Sequence, residues 1–405
     1  MDSWSEACYL VTVFNRNNRN NRKWYLLTIL FISCSAKAYP EFIGYGYAAC
    51  LTCHYNGNGG GQLTDYGRAL WSAEIASRAL YPRSMTDEEM GAQSGFLGAV
   101  DLPYWLRPHV AYRGLLLRMN PGSASSDKMN YYQMQTDFGL AVQSKSAKYA
   151  AVATFGRVLP ASEFGLGKQG LDHIMAKELY LRVEVVKTWW VYGGLIEKVF
   201  GLRNVDHTSY QRTYQGFNVQ NDIADGIAES TGVIVQKVEK TWDASANAFF
   251  GNPGDSPDYQ QAGGSLMGEF EVGENKRLGA SLYSAQSHKL NKQMAAVHYR
   301  QALSKGSAVM GEWGLIQDAP QTGNTAVGSY NLAQAIILLT RGYNLKTTVE
   351  RYNHDFASPD QWKTSFGFLM FPMPRLEIRA EAVKFTSQST PDDSWALEGQ
   401  VHVSL

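Results

Sequence analysis

The sequence has little charge, no excess of either sign, and no long apolar run beyond residue 38. Only 18% of its 405 residues are charged, and 37 basic residues balance 37 acidic ones. Because nucleic-acid-binding domains are strongly basic, the zero net charge argues against nucleic acid as a partner. No stretch after residue 38 is apolar enough for a transmembrane helix, which needs about 18 residues or more. No Ser-His-Asp, metal-hydrolase or nucleotide-binding motif stands out either.

Cysteine is scarce, and its placement is informative. Two of the four cysteines belong to the pentapeptide Cys50-Leu51-Thr52-Cys53-His54. This C-x-x-C-H pattern is the attachment motif of c-type haem, in which two thiols add to the vinyl groups and the histidine ligates the iron. A zinc site is the alternative, but no second C-x-x-C exists to complete one. We therefore predict one covalent haem c held by Cys50, Cys53 and His54.

The remaining cysteines, Cys8 and Cys34, lie in a segment typical of an export signal. A basic stretch over 16–23 precedes an apolar run over 24–32 that is too short to span a bilayer, and 36–38 is an A-x-A cleavage site. A lipoprotein anchored through Cys34 is an alternative. Export suits a c-type haem, because such haems are attached outside the cytoplasm, and it implies a bacterial source.

Abundant glycine and tyrosine, together with period-two alternation, indicate a transmembrane β-barrel. A soluble β-sandwich is the alternative, because its strands alternate too. Apolar residues such as Leu181 and Ile378 are expected to face lipid. Charged residues alternate with them and are expected to face the lumen: Glu178, Arg182, Arg375, Glu377, Arg379 and Glu381.

About sixteen candidate strands follow residue 103. Their connections alternate long and short, as in bacterial outer-membrane barrels with short periplasmic turns and long external loops, whereas a sandwich has no reason to alternate in this way. Aromatic residues near strand ends should form the interfacial girdles: Trp189, Trp190, Tyr192, Trp313, Tyr343, Tyr352, Trp362, Phe366, Phe368 and Trp395. The candidate strands lie near 105–119, 129–145, 147–158, 174–186, 187–199, 222–236, 239–250, 260–273, 275–287, 292–304, 305–317, 326–341, 342–354, 361–372, 373–387 and 394–405.

The predicted organisation is a signal peptide (1–38), a monohaem cytochrome segment (39–103) and an outer-membrane barrel (104–405). The fold class is all-β: an antiparallel transmembrane barrel of about sixteen strands, preceded by a small α-helical cytochrome segment. That segment should hold one helix over 65–81 and a second, short one over 86–93. It is too short to enclose a haem alone, whereas the lumen of such a barrel is wide enough to admit a plug.

The N-terminal region resembles a known family. The residues 38–42, 50–54 and 63–70 are similar to the N-terminal pattern of the fused monohaem cytochrome-porins of iron-oxidising bacteria, and the match covers 38–71. The resemblance implies electron transfer across the outer membrane of a Gram-negative bacterium, with iron(II) as donor in the best-known members. The insertion Gly59–Gly61 departs from that pattern and looks more like haem-barrel proteins of other metal-respiring or predatory bacteria. The metal, the direction of electron flow and an iron(II) oxidoreductase activity therefore stay open.

The sixth iron ligand is not evident from the sequence. A methionine there would raise the reduction potential of the haem, and a second histidine would lower it. His207 is the preferred distal candidate, because it lies in the longest predicted loop among side chains able to contact a haem. His298 and His402 fall on the predicted lumen face and are not favoured. The full set of distal candidates is Met85, Met90, His109, His173 and His207.

Three functions are compatible with these features. The first is electron transfer between an extracellular metal ion or mineral and a periplasmic electron-transfer cytochrome. The second is a passive porin whose haem segment serves as a plug or sensor. The third is a soluble periplasmic cytochrome with a β domain. We predict the first, with the barrel in contact with the lipid bilayer and the N-terminal segment on the periplasmic or lumen side.

Overall fold

Sixteen antiparallel strands close into one barrel, each paired with its neighbours in sequence and β1 paired with β16. The computed structural model describes residues 43–47, 49–98, 102–120, 128–158, 173–202, 209–215, 229–252, 260–387 and 394–405. The predicted signal peptide and His207 lie outside this part of the chain. The strands are β1 (Leu106–Asn120), β2 (Lys128–Gln143), β3 (Tyr149–Val158), β4 (His173–Val186), β5 (Trp189–Glu197), β6 (Glu229–Val238), β7 (Trp242–Phe249), β8 (Ala262–Gly273), β9 (Lys276–Gln286), β10 (Leu290–Ser304), β11 (Ser307–Pro320), β12 (Ala326–Thr340), β13 (Tyr343–Asn353), β14 (Gln361–Met373), β15 (Leu376–Ser387) and β16 (Ser394–Ser404).

Burial alternates along the strands, most regularly in β9, and follows an inside-out pattern. In β9 every second residue is buried, and the buried face carries Arg277 and Tyr283 while Leu278 and Leu282 are exposed. Successive side chains of a strand point to opposite faces, so the polar set is directed inward and the apolar set outward. The buried interior of the barrel therefore carries many polar and charged side chains, and large apolar side chains are exposed on the outer surface.

The predicted inward charges are confirmed with one exception. The side chains of Glu178, Arg182, Glu377, Arg379 and Glu381 are buried inside the barrel, whereas Leu181 is 62% exposed on the outside. The prediction was wrong for Arg375, which lies in the two-residue turn between β14 and β15 with a φ of 70°. The turn removes it from the alternation of the strand, and its guanidinium donates to the carbonyl oxygen of Gln93 instead.

The expected aromatic girdle is confirmed only in part. Trp313, Trp362 and Trp395 are exposed on the outer surface, as interfacial residues should be. Tyr192 and Tyr352 are instead buried inside the barrel. Alternation along a strand continues through both positions. Because the residues next to these two tyrosines point outward, the tyrosine rings point inward.

The two ends of the barrel differ in their connections. One end carries short turns, such as 187–188, 274–275, 305–306 and 341–342. The other end carries the longer connections, of which the segment between β5 and β6, 198–228, is the longest. The predicted alternation of short and long connections is therefore confirmed, except for the three-residue connection 287–289 at the long-loop end. We call the two ends the short-turn end and the long-loop end.

Short helical elements precede the barrel. A 3₁₀ turn, Cys50–Thr52, is followed by helix α1 (Asp65–Leu70), a π-helical turn (Trp71–Ile75) and helix α2 (Asp87–Ala92). Thr86 and Glu89 form a capping box at the start of α2, as a short helix in this position requires. None of the described helices is long and apolar enough to cross a bilayer.

The first helical stretch is shorter than the predicted 65–81. It ends at Ile75, because the backbone that follows hydrogen-bonds to a strand and a turn of the barrel instead of continuing the helix. The amide of Ser77 donates to the carbonyl oxygen of Phe371 at 2.8 Å, and Arg341 donates to the carbonyl oxygen of Ala76 at 2.9 Å. Tertiary contacts thus override the local apolar pattern.

Candidate functional site

The C-x-x-C-H motif forms a compact turn closed by its own backbone. The amide of His54 donates to the carbonyl oxygen of Cys50 at 2.9 Å, and His54 then pairs with Leu63 in an antiparallel bridge. The amide of Tyr55 donates to the carbonyl oxygen of Gln62 at 3.0 Å. Between these pairs Gly59–Gly61 all have positive φ, a conformation that glycine adopts without strain. The glycine insertion therefore returns the chain to the motif.

Helix α1 packs directly on the cysteine pair. Thr64 caps the helix, and its amide donates to the carbonyl oxygen of Cys53 at 2.9 Å. A Cβ atom on Gly67 would overlap that same carbonyl oxygen. Only a residue without a side chain lets α1 approach the motif so closely, so the glycine sets the position of the helix.

Inward-facing side chains of the barrel bind the backbone of this motif region. Arg182 on β4 donates to the carbonyl oxygen of Tyr55 at 3.1 Å, and its guanidinium stacks 5.1 Å from the centre of the Tyr55 ring. Gln236 on β6 donates to the carbonyl oxygen of Gly57 at 2.9 Å. A Cβ atom on Gly57 would overlap the side chain of Gln236, so the segment lies tightly against the inner wall.

Further contacts tie the segment to the short-turn end. Arg107 at the start of β1 binds both carboxylate oxygens of Asp65, at 2.6 and 2.7 Å. Gln62 donates to the carbonyl oxygen of Arg107 at 2.7 Å. Lys305, in the turn between β10 and β11, pairs with Glu74 at 2.6 Å. The described part of residues 43–98 is thus held at several points around this end of the barrel.

All three motif residues open onto one cavity of about 280 Å³ inside the barrel. This volume is just below the range for ligand sites, about 300–1,000 Å³. One wall is apolar and belongs to the same packed cluster as Cys53: Trp71, Ile75, Ile336, Leu369 and Phe371. Another wall carries charged side chains from the barrel: Arg113, Lys177, Glu178, Arg379 and Lys346.

The two thiols differ in exposure, and neither forms a disulfide. Cys50 is half-buried and Cys53 is 3% exposed. Burial raises the pKa of the Cys53 thiol to about 12, and the neighbouring Cys50 adds to the shift. Cys53 is therefore neutral at pH 7. An uncharged sulfur, such as the thioether formed on haem attachment, suits this buried position. In the described residues no three His, Cys, Asp or Glu side chains are grouped to hold a metal ion.

Unpaired polar atoms on the cavity wall could hydrogen-bond to a polar edge of a bound ligand. Two donors, Trp71 Nε1 and Asn58 Nδ2, are buried without a hydrogen-bond partner among the described residues, and both side chains line the cavity. Buried polar atoms are otherwise almost always satisfied. A flat, largely apolar group with a charged edge, attached at Cys50 and Cys53, fits these walls, and haem has that chemistry.

The structure sorts the predicted distal ligands. His109 lines the cavity with His54, and so does His402, which we had not favoured. Met85 and Met90 are absent from the described wall, and Met90 is fully buried in α2. The side chain of His173 and the whole of His207 lie outside the described residues. Sequence reasoning missed Met310, which also lines the cavity; its place on the inward face of β11 could have revealed it.

A segment from the long-loop connection enters the barrel. Helix α3 (Tyr210–Gln215) lies between β5 and β6 in sequence and packs on β12 and β13. Glu312 accepts hydrogen bonds from Gln211 at 2.9 Å and Gln215 at 2.8 Å. Arg212 of the same helix lines the cavity that holds the motif. The N-terminal segment and this inward loop thus approach the same space.

Solved structures share the barrel. An anion-selective porin from Comamonas acidovorans matches at 9% identity and a TM-score of 0.55, over 74% of this chain and 99% of the porin. The fold is that of the outer-membrane porins. OmpT from Vibrio cholerae matches at 7% identity and a TM-score of 0.56, over 76% of this chain and 99% of OmpT. OprB from Pseudomonas putida matches at 9% identity and a TM-score of 0.56, over 75% and 94% of the two chains.

At sequence identities this low, the similarity shows the porin fold but not the function. No family model matches the sequence. No curated protein matches it in sequence either. Membership of the cytochrome-porin family therefore stays a prediction that rests on the N-terminal motifs.

Proposed function

We propose that the protein transfers electrons across the outer membrane of a Gram-negative bacterium, through one haem c that Cys50, Cys53 and His54 hold inside a porin-type barrel. The observation that carries the proposal is the cavity: all three residues of the attachment motif open onto one space within the barrel. A bound haem supplies one-electron chemistry at its iron. The barrel supplies the passage through the bilayer.

The residues around the cavity have separate tasks in this proposal. The apolar wall of Trp71, Leu369 and Phe371 would keep water from one side of a bound haem, and such a surrounding would disfavour the more highly charged ferric state. Arg113 and Arg379 on the charged wall are suited to pair with propionate groups. Arg182 holds the backbone at Tyr55, directly after the histidine of the motif.

The position within the barrel gives the proposal its mechanism. A single redox group confined to the periplasm could not meet an impermeant metal ion or mineral, because the bilayer core alone is about 30 Å thick. A group held inside the barrel is closer to both faces. The short-turn end is assigned to the periplasm, where an electron-transfer cytochrome would exchange electrons, and the long-loop end to the extracellular metal, iron(II) being one candidate.

The porin fold itself supports a second candidate, a passive channel in which the haem segment is a plug or sensor. The inside of the barrel argues for little free passage, because long charged side chains there are buried in ion pairs. Arg277 binds Asp243 at 2.5 Å, and Lys292 binds Asp318 at 3.0 Å. The soluble alternative fits poorly, because the outward face is apolar along the strands.

Removal of both thiols tests the attachment. The Cys50→Ala/Cys53→Ala double variant should lose haem stain on denaturing gels and lose the mass of one haem. Thr52→Ala is the matched control, since it alters the same turn but neither thiol and should keep the stain. Both variants should retain heat-modifiable gel mobility, because the strands do not depend on the motif. Haem stain that persists in the double variant would refute covalent attachment.

An impermeant reductant or oxidant separates electron transfer from a passive channel. Added outside intact cells that carry the folded protein, such a reagent should change the haem absorption spectrum. Purified protein in planar bilayers should show little ionic conductance. A haem that responds to no external reagent, together with porin-like conductance, would favour the second candidate.

A further inference from the structure

We propose that His109 is the second axial ligand of the haem iron, opposite His54. The inference rests on the proposed function, because it requires a haem attached at the motif. It assigns the ligand that the sequence left open, and it replaces the preference for His207. What supports it is the position of His109 on the wall of the motif cavity and its close tie to the chain around His54.

His109 lies on the inward face of β1, near the start of the strand. It lines the motif cavity together with His54. It also lines a smaller void between β1 and the N-terminal segment, shared with Leu63 and Trp71. Leu63 is the residue that pairs with His54 in the antiparallel bridge. The two imidazoles thus belong to neighbouring pieces of backbone that face a common space.

Contacts on both sides of His109 fix this arrangement. Two residues earlier, the carbonyl oxygen of Arg107 accepts a hydrogen bond from Gln62, the neighbour of Leu63. One residue later, Val110 and Leu405 exchange backbone hydrogen bonds at 2.8 and 3.0 Å. A ligand must be held in place before the metal arrives, and these bonds hold the strand on which His109 is carried.

Leu405 lies beside His109, because both residues line the smaller void and Leu405 exchanges backbone hydrogen bonds with Val110. In metal sites the ring nitrogen that does not bind the metal usually donates to a carbonyl or carboxylate oxygen, which fixes the tautomer and the ring orientation. On the adjacent strand the residue paired with His109 is Gly139, which leaves the ring room on that side.

Two other side chains on the cavity wall compete for this role. His402 Nδ1 lies 3.5 Å from a carboxylate oxygen of Glu377, and Arg113 and Arg379 are close enough to act on its charge. His402 does not line the smaller void that His109 shares with Leu63, the strand partner of His54. Met310, on β11, lines the motif cavity but not that smaller void. His109 is therefore the better placed of the three.

Two histidine ligands would give the iron a defined character. A bis-histidine haem has a lower reduction potential than a histidine–methionine haem. Its iron is six-coordinate and low-spin, and it has no open position for carbon monoxide. Electron exchange would then proceed by outer-sphere transfer at the haem edge, with no direct bond between the iron and a metal substrate.

Spectroscopy of purified, haem-loaded variants tests the assignment. Wild type should be low-spin in its absorption and electron paramagnetic resonance spectra and should bind no carbon monoxide in the reduced state. His109→Ala should keep its covalent haem stain, become high-spin, bind carbon monoxide stoichiometrically, and return to low-spin on addition of imidazole. His109→Met should stay six-coordinate and shift the reduction potential upward. His288→Ala, at an exposed site in the turn after β9, is the matched control and should leave every spectrum unchanged.

The outcomes separate this inference from the proposed function. A low-spin spectrum that survives His109→Ala but is lost in His402→Ala or Met310→Leu would overturn the assignment to His109 while leaving the haem in place. A wild-type protein with no covalent haem would instead refute the proposed function. Heat-modifiable mobility of each variant verifies that the barrel is folded before its spectrum is interpreted.

Discussion

Removal of Arg182 should separate docking of the N-terminal segment from folding of the barrel. The side chain is 3% exposed and lies on the inward face of β4. One of its amino groups donates to the carbonyl oxygen of Tyr55, and the other donates to that of Ala147, each at 3.1 Å. Its guanidinium also stacks between the rings of Tyr55 and Trp190, 5.1 and 4.8 Å from their centres.

The part of these contacts that involves the segment sets the expected effect of Arg182→Ala. A hydrogen bond from a charged donor contributes about 1.5–3 kcal/mol. A partly desolvated cation over a tyrosine ring adds about 0.5–2 kcal/mol. The variant should therefore weaken docking of the segment by about 2–5 kcal/mol, which raises its undocked population roughly thirty-fold to several-thousand-fold. Arg182→Lys keeps the charge but loses the planar fork, so it should recover only part of the loss.

Hydrogen–deuterium exchange in detergent measures this population. Amides of residues 53–64 should exchange faster in Arg182→Ala, while amides in β9 to β11 keep their wild-type rates. Arg351→Ala is the matched control, because Arg351 pairs with Asp360 at 2.8 Å in the connection between β13 and β14. Unchanged exchange over 53–64 would refute the reasoning. So would faster exchange over the whole barrel, because Arg182 would then support the fold and not the docking.

Three further predictions concern the barrel. Leu181→Arg places a charge on the outer face and should cost about 2–4 kcal/mol in a folding titration into bilayers, whereas Ile378→Arg, close to a turn, should cost less. Hydrogen bonds from Arg351 lower the pKa of the Asp360 carboxyl group. The stabilisation from this ion pair should therefore be fully present above the usual carboxyl pKa and should be lost as the pH falls through the lower pKa of the folded state. Amide exchange rates at 354–360 should then rise in acid. Glu312→Ala removes the acceptor that holds α3 and should raise single-channel conductance in planar bilayers.

Each of these predictions has a clear contrary result. Equal folding energies for the two outward arginine variants would argue against a depth-dependent lipid contact. An Asp360→Asn variant should show fast exchange at every pH, and a retained pH dependence would assign the effect to another group. Wild-type conductance in Glu312→Ala, with the barrel folded, would mean that α3 is not what narrows the passage.

Much of the fold was predictable because a barrel strand encodes its two faces by alternation alone. Glu178 and Arg182 on one face and Leu181 on the other were assigned correctly, since a strand directs successive side chains to opposite sides whatever surrounds it. The same reasoning failed for Arg375, where a two-residue turn with positive φ interrupts the alternation. It also failed for the helix over 65–81, which ends at Ile75 to bind the barrel.

The site could be predicted from the sequence only in part. The sequence by itself predicts the chemistry of the motif, because Cys50, Cys53 and His54 lie within five residues of the chain and their spacing is local. It could not determine which residues face them, because His109 and Met310 come from strands far apart in the chain. Only closure of the barrel and docking of the N-terminal segment bring those side chains to one cavity. Contacts between residues so far apart in the chain depend on strand register and on packing across the lumen, and no local stretch of sequence specifies either.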